Sequence, residues 1–336
     1  MKNIGVFTSV YFNNIGNAFI DFGAIATIEA ALPTGAQLIR LSQYPNFASA
    51  MAKGMMLKEN KLFHALWVKG KKVFSNLHDR SYKLIDSKAV FNVAEIARLD
   101  FLVVPGCVLT VPFFSLYFDL LMRIKSKGTK IVFLGASGNY YSENEINSVV
   151  EFLKRLEPAA LMFRDPKAFE LYKHLSHTSY NGIDNAFFVN RLKLPKVDTH
   201  MDPFVVLNFD DPRNFHLNEE FSKKFKNIIK TNHKPFDLKY AKSYIDKGFM
   251  VSDTPLDYLF LYSNASEVHS DRVHACIPTL SYGNKCKIYS DSPRVQLFTN
   301  VGLSSVISEQ VTDLNPILLK EKQDSQIEIL NSIIAK

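Results

Sequence analysis

Short apolar runs alternate with longer stretches of helical period along most of the chain, the pattern of parallel α/β units. Ile4–Thr8 reads as a first strand, Tyr11–Gly16 as a loop, and Asn17–Leu32 as a helix ended by Pro33 and Gly35. Gln37–Leu41 is a second short strand, and residues 46–77 read as mostly helical and rich in Lys, Met and Phe. Phe101–Val104 and Ile131–Leu134 are buried strands, followed by helices over Phe113–Lys127 and Glu143–Leu156. Ala160–Phe163 is a strand and Pro166–His174 a helix.

The period is lost over residues 190–203, where Pro195 and Pro203 bracket a polar run that reads as a linker. A second α/β pattern then predicts strands at Phe204–Asn208, Phe249–Val251, Glu267–His269 and Lys287–Tyr289. Helices are expected over Glu219–Lys230, Leu256–Ser263 and Arg272–Tyr282, and an amphipathic one from 316 to the end. The predicted architecture is α/β: an N-terminal domain over 1–195, a C-terminal domain over 204–315, and a terminal helix over 316–336. Both domains are Rossmann-like and face each other across a cleft. No repeat or low-complexity segment interrupts this order.

Composition adds limits. A chain of 336 residues suits two α/β cores better than one. With 47% hydrophobic and 22% charged residues, long disordered stretches are not expected. A net charge of +7 fits phosphorylated ligands or an anionic membrane surface. The lysines are scattered, with no basic arm and no aromatic RNA-binding signature, so no nucleic-acid partner is expected. Cys107, Cys276 and Cys286 form no CxxC pair and imply no disulfide framework, which points to a reducing cytoplasm. The N-terminus reads as a strand rather than a signal segment, and no run of about 18 apolar residues exists to span a bilayer. The basic stretch 53–72 leaves peripheral contact with the inner face of a membrane open.

The densest chemistry lies in Val268-His269-Ser270-Asp271-Arg272-Val273-His274-Ala275. A strand ends there, Ser270 or Asp271 can cap a new helix, and Arg272 and His274 fall in its first turn. Free N–H groups and the positive helix end favour an anion. The Arg fork fits carboxylate or phosphate, and a His moves protons near neutral pH. A capped helix with a surface Arg and a packed His is the plainer alternative. Asp198–Asp202 offers metal-type ligands without a second cluster, so no metal site is expected. Asp210-Asp211 follows a strand and reads as a loop pair, and His233 has no recognisable partner in the sequence.

The stretch from Ser270-Asp271-Arg272-Val273-His274 through Gly283 to Lys287-Ile288-Tyr289, with Arg294 and Val301-Gly302-Leu303, resembles the Arg-x-His region of the polysaccharide pyruvyl transferases. Asn13-Asn14-Ile15-Gly16-Asn17 is similar to that family's N-terminal Asn/Gly loop, and its free helix-start N–H groups would suit an anion. Gly135-Ala136-Ser137-Gly138, Phe163-Arg164-Asp165 and Gly182-Ile183-Asp184-Asn185-Ala186-Phe187 resemble further family segments. Pro105-Gly106-Cys107 departs from the family's glycine-rich loop.

The resemblance implies a GT-B-like fold and transfer of a pyruvyl group from phosphoenolpyruvate to a sugar of a surface glycan or its lipid-linked precursor. It implies His274 as the acid–base residue and Arg272 as the donor clamp. Asn14, Gly16, Asn17, Ser137, Gly138, Arg164 and Arg294 would bind substrate, without metal or cofactor. Two other readings stay open: a GT-B glycosyltransferase using a nucleotide sugar, sialyltransferase-like for example, and a non-catalytic glycan or partner binder.

Overall fold

In a computed structural model the chain is described over residues 2–9, 14–43, 92–194, 199–234, 244, 248–304 and 306–336. The expected helical region 46–77, the basic stretch 53–72 and the middle of the expected linker lie outside the described residues.

The first half is a parallel six-stranded sheet. Its strands are β1 (Asn3–Thr8), β2 (Gln37–Ser42), β3 (Phe101–Pro105), β4 (Lys130–Ala136), β5 (Ala160–Phe163) and β6 (Ser179–Asn181). Their spatial order is β2-β1-β3-β4-β5-β6. Helices α1 (Gly16–Ala31), α2 (Val111–Lys125), α3 (Glu143–Leu156) and α4 (Pro166–Tyr172) connect them. Burial on both faces explains why strands such as Phe101–Val104 read as unbroken apolar runs. One face carries α2 and α3 through Phe114, Leu121, Val149 and Leu153. The other carries α1 through Ala24 and Ile28.

The second half is a parallel five-stranded sheet of β7 (Val205–Asn208), β8 (Ile228–Thr231), β9 (Phe249–Met250), β10 (Glu267–Ser270) and β11 (Lys285–Ile288). Its order is β11-β10-β7-β8-β9. Its helices are α5 (His216–Lys224), α6 (Pro255–Asn264), α7 (Val273–Ser281) and the short α8 (Val306–Glu309). The terminal α9 (Pro316–Ala335) returns to the first sheet, where Leu330, Ile333 and Ile334 pack with Ile4, Val6 and Ile28.

Among the boundaries that differ from expectation, two bear on the site. The helix expected over Glu219–Lys230 ends at Lys224, and Ile228–Thr231 is strand β8. The β-branched pair Ile228-Ile229 and Thr231 suits a pleated, paired backbone, and pairing with β7 decides the matter. Helix α7 begins at Val273, one residue later than expected, because Arg272 is extended and stands as its N-cap.

The two halves share one apolar core. Ile15, just before α1, and Phe19 of α1 join Phe187 and Phe188 of the 3-10 segment Asn185–Arg191 and Val206, Tyr258, Tyr262 and Ile277 of the second half. Gly23 permits this approach, since a Cβ there would lie 1.7 Å from the Asn185 carbonyl oxygen.

In each sheet the strand order reverses once, between β1 and β3 and between β7 and β10. Ligands of doubly wound sheets bind beyond the carboxyl ends of strands at such reversals. Residues following β1, β7 and β10 therefore occupy the favoured positions.

Candidate active site

Arg272 follows β10 and bridges the two halves. Its Nη2 donates to Asn14 Oδ1, beyond β1, at 2.9 Å. Its Nε lies 3.3 Å from Asp210 Oδ2, beyond β7. All three residues thus stand at strand-order reversals. The guanidinium keeps 26% of its side chain exposed, whereas Asp210 is buried. A planar cation is thereby held on one edge with the other left for a ligand.

Local sequence explains this pose. Ser270 Oγ accepts the Arg272 amide at 2.9 Å, which keeps Arg272 out of the helix. Asp271 turns away, accepting the amides of Asp210 and Asp211 at 2.9 and 2.8 Å. Neither caps α7, as was expected of them; the helix has no side-chain cap and no acidic residue in its first turn. The amides of Ala275 and Cys276 reach the Arg272 carbonyl. The uncapped start retains the partial positive charge of a helix end beside Arg272.

His274 lies two residues on in the first turn, 9% exposed, with Nε2 3.4 Å from Asp184 Oδ2. Asp184 is fully buried, and the same oxygen accepts Arg164 Nη1 at 2.6 Å. Its Oδ1 accepts the Ala186 amide at 2.8 Å, so the carboxylate also caps the 185–191 segment. Burial would raise its pKa, but Arg164 and His274 outweigh that and hold it well below the carboxylate range. Burial pushes His274 below its ordinary value while Asp184 pulls upward and orients the ring.

Arg164 follows β5 as expected but does not face a ligand. It is 1% exposed, with Nε donating to Ser137 Oγ at 2.8 Å. Its partners are Asp184 and Ser137 rather than a free anion, so its charge acts on His274 through Asp184. Ser137 is buried in that network. Gly138 donates its amide to Tyr141 Oη at 3.0 Å, and its carbonyl accepts Cys107 Sγ at 3.1 Å. Arg294 is exposed on the other half and reaches Asn139 Oδ1 at 3.2 Å.

The N–H groups expected to be free at the start of α1 are engaged. Asn14 Oδ1 accepts the Gly16 amide at 3.2 Å, and the Asn14 carbonyl accepts that of Asn17 at 3.0 Å. The Ile15 amide donates to the His233 carbonyl at 3.1 Å. Asn14 therefore positions Arg272 instead of leaving an open anion nest. Asn17 receives the Asn14 amide nitrogen at 3.4 Å. Gly16 sits where the halves touch: a Cβ would lie 3.0 Å from His274 Cβ and 3.2 Å from Asn14 Oδ1.

Sequence reasoning missed His233 and undervalued Asp210. Asp210 Oδ1 accepts the His233 amide at 2.8 Å while its second oxygen faces Arg272. His233 is fully buried, with Nε2 2.6 Å from Tyr262 Oη. The signal lay in β8: had Ile228–Thr231 read as a strand, Asn232-His233 would have stood at its carboxyl end. Among the described residues no group of three His, Cys, Asp or Glu side chains could hold a metal.

Two parallel sheets meeting through their strand ends define a GT-B type fold, and solved structures agree. The S. aureus MnaA–UDP co-structure matches with a TM-score of 0.54, covering 98% of this chain and 91% of that chain at 10% identity. The Methanocaldococcus jannaschii UDP-GlcNAc 2-epimerase in complex with UDP-GlcNAc and UDP matches with a TM-score of 0.52, covering 99% and 93% at 14% identity. At such identities the likeness concerns the fold alone. The family profile described as polysaccharide pyruvyl transferase matches residues 35–286, and the chain belongs to that family of transferases. A search of curated proteins finds no match. Among the described residues no helix is long and apolar enough to cross a membrane.

Proposed function

We propose that the protein moves a pyruvyl group from phosphoenolpyruvate onto two hydroxyls of a sugar, forming a ketal on a surface glycan or its lipid-linked precursor. The observation that carries this reading is the joint placement of Arg272 and His274 at the uncapped start of α7, braced by Asp210, Asn14 and Asp184. A carboxylate-and-phosphate donor needs cations and free amides. Ketal formation needs a group that both gives and takes protons.

Burial holds His274 below its ordinary value in the free protein, and a trianionic donor beside it raises its proton affinity. The imidazolium protonates the methylene carbon of the donor, making carbon 2 an oxocarbenium-like electrophile. The first sugar hydroxyl adds to carbon 2 and returns its proton to His274. Phosphate then leaves with the C–O electron pair, and the second hydroxyl closes the ring as its proton passes to the departing phosphate. Asp184 stabilises the imidazolium without itself being protonated, and Arg164 keeps Asp184 ionised. Arg272 holds the donor, and Arg294 adds positive charge at the rim of the same cleft. The chemistry is assigned to the cytoplasm, against the inner face of a membrane when the acceptor is lipid-linked.

The test is phosphate release from phosphoenolpyruvate in the presence of sugar acceptors, with the ketal product identified by mass. His274→Ala should abolish turnover and leave donor affinity near that of the parent, whereas Arg272→Ala should weaken donor binding. Equal loss of affinity in both variants would overturn the acid–base role of His274.

A further inference from the structure

Among the buried side-chain nitrogens without a partner, those of Asn208, Asn232 and His233 lie at the ends of neighbouring strands, and the first and last share a face. His233 Nδ1 and Asn208 Nδ2 are both out of solvent and both without a hydrogen-bond partner. Native interiors seldom leave such groups unpaired, and each needs a reason. Asn208 ends β7, and His233 stands two residues beyond the end of β8, its neighbour in the sheet.

Both side chains project to one face. Alternation along β7 puts Asn208 on the side of Val206, which packs in the core shared by the two halves. His233 reaches the same side, with edge-on contacts to Phe19 and Tyr262. On that side Ser270 Oγ donates to the Asn208 carbonyl at 2.8 Å, lies 3.1 Å from Asn208 Oδ1 and accepts the Arg272 amide, which ties Asn208 to the Arg272 turn.

The hydrogen-bond partners also fix which nitrogen of His233 donates. Tyr262 is fully buried and pushed far above its ordinary pKa, so it keeps its O–H. Its contact to His233 Nε2 satisfies that hydrogen only if Nε2 accepts, which leaves the proton on Nδ1. The opposite tautomer would strand the Tyr262 hydrogen as well. For Asn208, Oδ1 lies 3.1 Å from Ser270 Oγ, whose hydrogen has a shorter contact to the Asn208 carbonyl at 2.8 Å, and Nδ2 has no partner. Two N–H donors therefore face the region of Arg272 and the uncapped α7 with nothing to receive them.

We propose that Asn208 and His233 form, together with Arg272 and the first turn of α7, an oxyanion cradle for the donor substrate. In it His233 Nδ1–H and Asn208 Nδ2–H each donate to an oxygen of the donor's phosphate or carboxylate. An anion that draws Arg272 Nη2 away from Asn14 Oδ1 also loosens the Asn14–Gly16 turn, which covers the Nδ1 edge of His233. The inference rests on the reading of this cleft as a donor site.

The experiment is calorimetric titration of the full chain with phosphoenolpyruvate, inorganic phosphate and pyruvate, each alone. His233→Phe keeps the ring packing and removes both nitrogens; Asn208→Leu keeps volume and removes the donor. Losing one hydrogen bond to a charged group should raise the dissociation constant for phosphoenolpyruvate by about tenfold or more in each variant. A parallel loss with phosphate but not pyruvate assigns the cradle to the phosphoryl end, and the converse assigns it to the carboxylate. Unchanged affinity for phosphoenolpyruvate in a variant that melts cooperatively would overturn the proposal and leave these donors to buried water. If His233→Phe does not fold, Asn208→Leu decides alone on the same criterion. If the parent binds none of the three probes, the donor-site reading itself fails, and the cradle falls with it.

Discussion

Replacing Asp184 by Asn probes how the fold holds the charge behind His274. Asn keeps the volume and can still accept the Ala186 amide, so the change isolates the carboxylate charge. In the parent, Arg164 and Asp184 form an ion pair at 2.6 Å with side chains 1% and 0% exposed. Removing one partner of a buried pair leaves a desolvated charge and costs about 3–5 kcal/mol. The Ser137 contact offsets little of this, since a hydroxyl carries no compensating charge. Urea unfolding of parent and variant measures the difference through the midpoint at unchanged slope. Arg164→Met with Asp184→Asn should recover part of the loss, because no charge then remains buried. A loss below about 1 kcal/mol for Asp184→Asn alone, the range of exposed pairs, would mean that water reaches the pair and would refute its burial behind His274.

Other outcomes follow from the same geometry. Gly23→Ala would place a methyl 1.7 Å from the Asn185 carbonyl, so α1 and the 185–191 segment must separate; unfolding should show a loss of about 3 kcal/mol or more. Gly16→Ala meets His274 Cβ at 3.0 Å and Asn14 Oδ1 at 3.2 Å, and steady-state assay should show turnover falling more than melting temperature. His233 and His274 are both held below their ordinary value of 6.5, so the unfolded chain binds protons there that the folded chain does not. That contribution to stability is present above pH 6.5 and lost as pH falls through the folded values. Unfolding at about pH 6 should therefore take up protons, and a chain with both residues changed to Phe should take up fewer.

The sheets were legible because buried parallel strands leave unbroken apolar runs, and Phe101–Val104 or Ile131–Leu134 can be little else. Strand β8 was not legible: Ile228–Thr231 directly continues a Lys-rich helical pattern, and only pairing with β7 makes it a strand. The same gap hid His233. Arg272 and His274 were visible because a strand end, polar residues and a helix start follow in eight residues. What they touch was not, since Asn14, Asp184 and Asp210 lie 258, 90 and 62 positions away in the chain. Arg164 shows the limit most clearly. Its place at a strand end marks a ligand contact as readily as an ion pair, and Asp184, 20 residues on, decides between them.

The most direct test of pyruvyl transfer is the melting temperature of the purified chain with phosphoenolpyruvate and, separately, with UDP-sugars and nucleotides. A ligand at about a hundred times its dissociation constant stabilises the folded state by about 2.7 kcal/mol. A rise with phosphoenolpyruvate alone that disappears in Arg272→Ala is the predicted result. A rise with a nucleotide or nucleotide sugar and none with phosphoenolpyruvate would contradict it and assign the site to a glycosyltransferase donor.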